Sequence, residues 1–130
     1  MKIPTSEEKS WRTGSIIMVD NELDVNITIK MALEENGDFE VDTFNDAESA
    51  LFAFKPGHYD LAILDIRMPG MNGFELVRRL NSINPKLRIF IMTAFEIQKS
   101  EFEKVFPTIK IAGLIEKPVS IHRLLKTIEA

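Results

Sequence analysis

Short apolar runs that end at polar or charged residues recur along this chain, separated by stretches in which apolar positions return every three or four residues. The run Leu61 to Leu64 (LAIL) is too short for a helix and dense enough for a strand buried on both faces, and it stops at Asp65. Met68-Pro69-Gly70 and Asn72-Gly73 follow as turn chemistry, so Asp65 is placed where a buried strand breaks into a loop. Ser15 to Val19 (SIIMV) is a second run of this kind, and it leads into Asp20-Asn21-Glu22. Phe39, Val41 and Thr43 alternate with Glu40 and Asp42, the pattern of a half-exposed strand at a sheet edge. Leu87 to Met92 predicts a fourth strand, running into Thr93-Ala94. Ile111 to Ile115 predicts a fifth, leading to Glu116, Lys117 and Pro118.

Helical spacing fills the intervals. Residues 22–36 carry two apolar arcs, Leu23, Ile27, Met31 and Val25, Ile29, Leu33, and Asn36-Gly37 stops them. Asn45 with Glu48 has the form of a capping box ahead of Ala47, Ala50, Leu51 and Phe54, until Pro56-Gly57. Asn72 with Glu75 repeats it ahead of Phe74, Val77 and Leu80, and Pro85 prevents continuation. A weakly periodic segment over 96–105 could turn Phe102 and Val105 to the core. Ser120 is placed to cap a last helix with Ile121, Leu124, Leu125 and Ile128.

Five short strands alternating with five helical segments predict a doubly wound α/β domain, a parallel sheet whose crossover helices cover both faces. Parallel strands put their C-terminal ends on one edge, so Asp20, Asn21, Asp65, Thr93 and Lys117 are expected to converge there, where ligands bind in open α/β sheets.

Composition narrows this picture. The chain has 130 residues, 45% of them hydrophobic, which is the size of one domain, expected over 15–130 after a tail of residues 1–14. Within the tail, Trp11 is expected to pack on the domain's own flank. The balance of 16 basic against 20 acidic residues gives a net charge of −4 without a Lys/Arg cluster, which argues against direct nucleic-acid binding. No apolar run approaches the roughly 20 residues that span a bilayer, and the start lacks the apolar core of a signal peptide. The absence of cysteine removes a disulfide framework and fits a cytoplasmic protein.

Acids gathered around one lysine are a ready site for Mg²⁺, which takes one or two carboxylates and retains several waters. A carboxylate can also attack phosphorus and form an aspartyl phosphate. In such a site the metal would spread the phosphoryl charge, Lys117 would pair with another oxygen, and the Thr93 hydroxyl would donate a hydrogen bond. Asp20 or Asp65 alone would pass for a helix cap, but together with Thr93 and Lys117 they are not plausibly structural. His58 and His122, with no metal-type spacing, are expected to be exposed, and the six Met residues to fill core and loops.

The strand ends VDNE, LAILDIRMPGMNG, IMTA and EKP resemble the receiver domain of two-component response regulators, over roughly residues 15–129. The resemblance implies a flavodoxin-like fold with strand order 2-1-3-4-5 and phosphorylation of Asp65 by a partner histidine kinase. It assigns Asp20, Asn21, Asp65 and the Arg67 backbone carbonyl to Mg²⁺, Thr93 and Lys117 to the switch hydroxyl and the phosphate-binding lysine, and Ala94 to the ligand-binding residues. It implies a phospho-accepting switch that catalyses at most its own phosphorylation and dephosphorylation and signals to a downstream protein as a monomer or weak homodimer.

Two positions depart from the family pattern. Asn21 offers a neutral carbonyl where the family usually has a second Asp, which implies weak Mg²⁺ binding. Leu114 stands three residues before Lys117, where the family usually has Tyr or Phe, so no ring can swing inward as Thr93 moves. Phe95, two residues past Thr93, is expected to screen the phosphorylated aspartate from water. These departures keep a second reading open, an interaction module on the same fold that is never phosphorylated. A third, a phosphatase of the haloacid dehalogenase type, needs an Asp where Arg67 stands and ranks below both. The absence of an attached effector domain implies that the signal leaves through a surface, unless the end at Ala130 marks an excised fragment.

Overall fold

A computed structural model describes residues 13–67, 73–94, 104 and 107–129. Within these residues the chain runs β1 (Thr13–Val19), α1 (Leu23–Glu35), β2 (Asp38–Phe44), α2 (Ala47–Ala53), β3 (Leu61–Asp65), α3 (Gly73–Ile83), β4 (Arg88–Thr93), β5 (Gly113–Glu116) and α4 (Ile121–Glu129). All four strand pairs are parallel, in the order β2-β1-β3-β4-β5. This is the doubly wound, flavodoxin-like architecture expected.

Why the strands read as they do follows from their cover. β3 lies in the middle of the sheet and all five of its residues are buried, so its apolar run shows no alternation. β2 lies at the edge and alternates, with Phe39 and Val41 turned inward. Successive side chains point to opposite faces and divide the core in two. On one face Ile17, Val19, Ala62, Leu64, Ile89 and Ile91 pack beneath α2 and α3. On the other, Ile16, Met18, Ile63, Phe90 and Met92 pack beneath α1 and α4.

Several element boundaries differ from those the sequence predicts. β1 starts at Thr13, two residues inside the expected tail, because Thr13 and Gly14 pair with Asp38 and Phe39 of β2. The N-cap of α2 is Asp46 rather than Asn45: the Asp46 carboxylate accepts from Ser49 N–H at 2.7 Å, while the Asn45 side chain accepts from Asn26. β5 begins at Gly113; Ile111 lies ahead of it, buried against the α2–α3 side of the core. Ser120 does cap α4, its Oγ accepting from Arg123 N–H at 3.4 Å. Four helices, of seven to thirteen residues, lie whole within the described residues. The expectations for Trp11, Asn72 and Phe95 fall outside the described residues, as does the helix over 96–105 except for Lys104, which is helical.

Candidate functional site

The sheet register brings the strand ends together. Val19 stands beside Leu64, Asp65 beside Met92, and Thr93 beside Glu116, so the residues that follow β1, β3, β4 and β5 share one edge. Backbone bonds lock the loops: Ile66 N–H donates to Met92 O at 3.3 Å and Lys117 N–H to Thr93 O at 2.8 Å. The Lys117–Pro118 peptide is cis. At the far side of the Asp65 loop, the Gly73 N–H donates to Ile66 O at 3.1 Å. Gly73 is there because of space, since a Cβ at that position would stand 2.2 Å from Ile66 Cα and 2.6 Å from Asp65 O.

Asp20, Asp65 and Thr93 are, with Asn26, the buried polar residues among the described residues. They are joined by Lys117, whose Nζ lies 2.8 Å from Asp20 Oδ2, 3.2 Å from Asp65 Oδ2 and 3.3 Å from Glu22 Oε1. The remaining carboxylate oxygens are fixed by the backbone. Asp20 Oδ1 accepts from Glu22 N–H at 2.8 Å, and Asp65 Oδ1 accepts from Arg67 N–H at 3.0 Å. Asp20 Oδ2 is buried with no donor aligned for a hydrogen bond, so its contact with the ammonium is an ion pair.

Burial holds the Asp20 carboxyl above the usual carboxylate range; the Lys117 ammonium and the Glu22 N–H oppose the rise, and the Asp65 charge adds to it. For Lys117 burial is the largest single influence and pulls its pKa down. Asp20 and Asp65 together outweigh it, so the ammonium titrates above its ordinary value.

Asp20, Asp65, Thr93 and Lys117 are thus gathered as the sequence predicts. Asn21 is not: its side chain is exposed at the end of β1, outside the three ion pairs that meet on Lys117. Arg67 contributes its backbone N–H to Asp65, and its residue is exposed. Ala94 is exposed and lines, with Lys117, Val25, Ile29, Pro118 and Ile121, a cavity of about 500 Å³ between α1 and the chain entering α4. Leu114 packs on the α2–α3 side of the core.

Two residues of the site escape sequence reasoning. One is Glu22, which reaches Lys117. The other is Asn26, fully buried on α1, whose Nδ2 donates to Asp20 O at 2.9 Å, Phe44 O at 3.1 Å and Asn45 Oδ1 at 3.0 Å. It ties the end of β1 to the end of β2. The only signal in the sequence is a polar residue between the apolar positions Val25 and Ile29.

The residues fit a divalent cation. Among the described residues no three of His, Cys, Asp and Glu form a ready-made cage, but Mg²⁺ needs only one or two carboxylates and keeps its waters. The buried Asp20 Oδ2, without a hydrogen-bond donor and turned to an ammonium shared with Asp65, is an oxygen that a cation would satisfy.

A model of the response regulator receiver domain matches residues 16–129. The chain is 39% identical over 90 residues to the sensor protein EvgS of Escherichia coli (strain K12), covering 69% of this chain and 7% of that one. It is 37% identical over 79 residues to the two-component response regulator PhoP of Pseudomonas aeruginosa, covering 61% and 35%. The chain therefore spans well under half the length of these relatives. Among solved structures, the chemotaxis response regulator CheY4 of Vibrio cholerae superposes with a TM-score of 0.78 at 26% identity, over 90% of this chain and 97% of that one.

Proposed function

Because this chain belongs to the response regulator receiver domain family, whose members carry phosphorelay signals, we propose that it accepts a phosphoryl group on Asp65. The observation that carries this reading is the state of the Asp65 carboxylate. It is buried at the end of the central strand, one oxygen is held by the Arg67 N–H, and the other faces the Lys117 ammonium. A carboxylate so placed is oriented for attack while its charge is kept in a low-dielectric site.

An Asp65 oxygen forms a bond to the phosphorus of the donor. The P–N bond of a histidine kinase phosphohistidine breaks, or the P–O bond of acetyl phosphate, and the leaving imidazole or acetate carries off the bonding pair. Lys117, already 3.2 Å from Asp65, pairs with an oxygen of the incoming group, and the Thr93 hydroxyl, at the adjacent strand end, donates to another. Mg²⁺, held by Asp20, Asp65 and the Arg67 carbonyl, would supply further charge neutralisation. The chain acts on no separate substrate and works as a switch: the added charge biases two packings of the Thr93–Lys117 face, and a downstream protein reads the difference. No helix among the described residues is long and apolar enough to cross a membrane, in keeping with a cytoplasmic site of action.

Intact mass after incubation with acetyl phosphate and Mg²⁺ tests the reading. The native chain gains one phosphoryl group and Asp65→Asn gains none. A folded native chain that gains nothing would favour the second reading, a protein-interaction module on this fold, for which exposed Asn21 and non-aromatic Leu114 speak.

A further inference from the structure

Asn21 leaves the site one acid short, and the chain carries another acid one residue later. Glu22 is the N-cap of α1, and its side chain makes no capping hydrogen bond. It reaches over the mouth of the site instead, its Oε1 3.3 Å from the Lys117 ammonium that Asp20 and Asp65 also share. Three carboxylates therefore face one ammonium, a formal charge of −2. The side chain of Glu22 is 62% exposed and so open to a hydrated ion, whereas Asp20 is fully buried.

A charge of −2 is what a divalent cation neutralises. When Lys117 turns to a phosphoryl oxygen, Asp20 Oδ2 loses the one cation that faces it among the described residues and has no hydrogen bond to replace it. A buried carboxylate in that state is costly unless another cation arrives. We propose that Glu22, rather than Asn21, completes the divalent-cation site of this chain, binding the ion through one of the waters it retains. This inference rests on the phospho-acceptor reading in taking the ion to be Mg²⁺ and in turning Lys117 to a phosphoryl oxygen. It implies that the neutral residue at position 21 is compensated from within the same turn.

Calorimetric titration of the unphosphorylated chain with MgCl₂ tests it, using native protein, Glu22→Gln, Asn21→Ala and Asp24→Asn. Asp24→Asn is the control: it removes one acidic charge from the first turn of the same helix, so it reports the general field without the contact. Glu22→Gln is expected to weaken Mg²⁺ binding roughly tenfold, as loss of an outer-shell partner does, with Asp24→Asn within about twofold of native and Asn21→Ala losing less than Glu22→Gln. Since Glu22 makes no side-chain cap, Gln leaves α1 intact, and an unchanged melting curve checks this. Equal affinities for native and Glu22→Gln would overturn the inference, as would a loss in Asn21→Ala at least as large, or a native chain that binds no Mg²⁺. Acetyl phosphate labelling of the same samples is read separately. Phosphoryl uptake at Asp65 together with an unaffected Glu22→Gln affinity removes Glu22 from the site and leaves the phospho-acceptor reading standing.

Discussion

The Lys117 ammonium lies 2.8 Å from the fully buried carboxylate of Asp20, closer than it comes to Asp65. Burial raises the Asp20 pKa, and the Lys117 ammonium it shares with Asp65, together with the Glu22 N–H, opposes the rise. Asp20→Asn removes the carboxylate charge while Lys117 keeps Asp65 and Glu22. We expect the metal-free variant to be more stable by on the order of 1 kcal/mol in urea unfolding, and to bind Mg²⁺ more weakly. Stability traded for function is the expected pattern at a site of this kind. A variant less stable than native would mean that Asp20 is chiefly a structural anchor.

Gly73 is pressed against the backbone that carries Asp65. A Cβ there meets Ile66 Cα and Asp65 O at distances that side-chain rotation cannot relieve, so either α3 or the Asp65 loop must move. Gly73→Ala is expected to cost about 2 kcal/mol of stability, as overpacking does, and to slow phosphoryl uptake at Asp65 in the folded fraction. Urea midpoints and the time course of mass gain measure the two effects. Normal uptake in a destabilised variant would show that α3, not the loop, gives way.

How much of this was legible in the sequence depends on how local its cause is. The unalternating run of Leu61 to Leu64 and the alternation of Phe39, Val41 and Thr43 reflect burial on two faces and on one, and burial writes its period directly into the chain. Asp65, Thr93 and Lys117 stand out because each lies at or just past the end of a strand whose direction fixes its edge. Asn26 could not be read in this way: what its amide touches is set by where β2 ends beside β1, not by its neighbours in sequence. The same contact decides the α2 cap. Asn45 and Asp46 are both good caps, and Asp46 takes the role while the Asn45 side chain receives the Asn26 amide. Glu22 is adjacent to the predicted cluster, yet its part appears only once Lys117 arrives from the far end of the chain.

Tyr59 is buried and donates from its hydroxyl to Asp42 Oδ2 at 2.6 Å, tying the loop before β3 to the edge strand. Burial first, then the Asp42 hydrogen bond and charge, push its pKa well above 10. A raised folded pKa means that the contribution is fully present below the unfolded value of about 10 and is lost as pH rises toward the folded one. Tyr59→Phe should therefore cost about 1 kcal/mol at pH 7, and its deficit should narrow at pH 11, where the unfolded native chain ionises and the variant cannot. Urea unfolding at the two pH values measures this. A deficit that stays constant would assign the loss to packing, for example against Phe54, whose ring centroid is 5.5 Å away.

Asn21→Asp restores an acid at the exposed end of β1, beside three carboxylates that already outnumber their one ammonium. Two consequences follow from that crowding and run in opposite directions. An added unit charge about 6 Å from a divalent ion in a water-exposed setting is worth on the order of 1.4 kcal/mol, so Mg²⁺ should bind about tenfold more tightly. Without the ion the same charge repels Asp20 and Glu22, and the metal-free chain should lose roughly 0.5–1 kcal/mol of stability, more in low salt than in high. Calorimetry with MgCl₂ and urea unfolding in EDTA read the two effects on one preparation. Tighter binding without destabilisation would place the new carboxylate away from the other acids. Destabilisation without tighter binding would mean that Glu22 and Asp20 already saturate the ion, and that Asn21 is where the chain relieves its own charge.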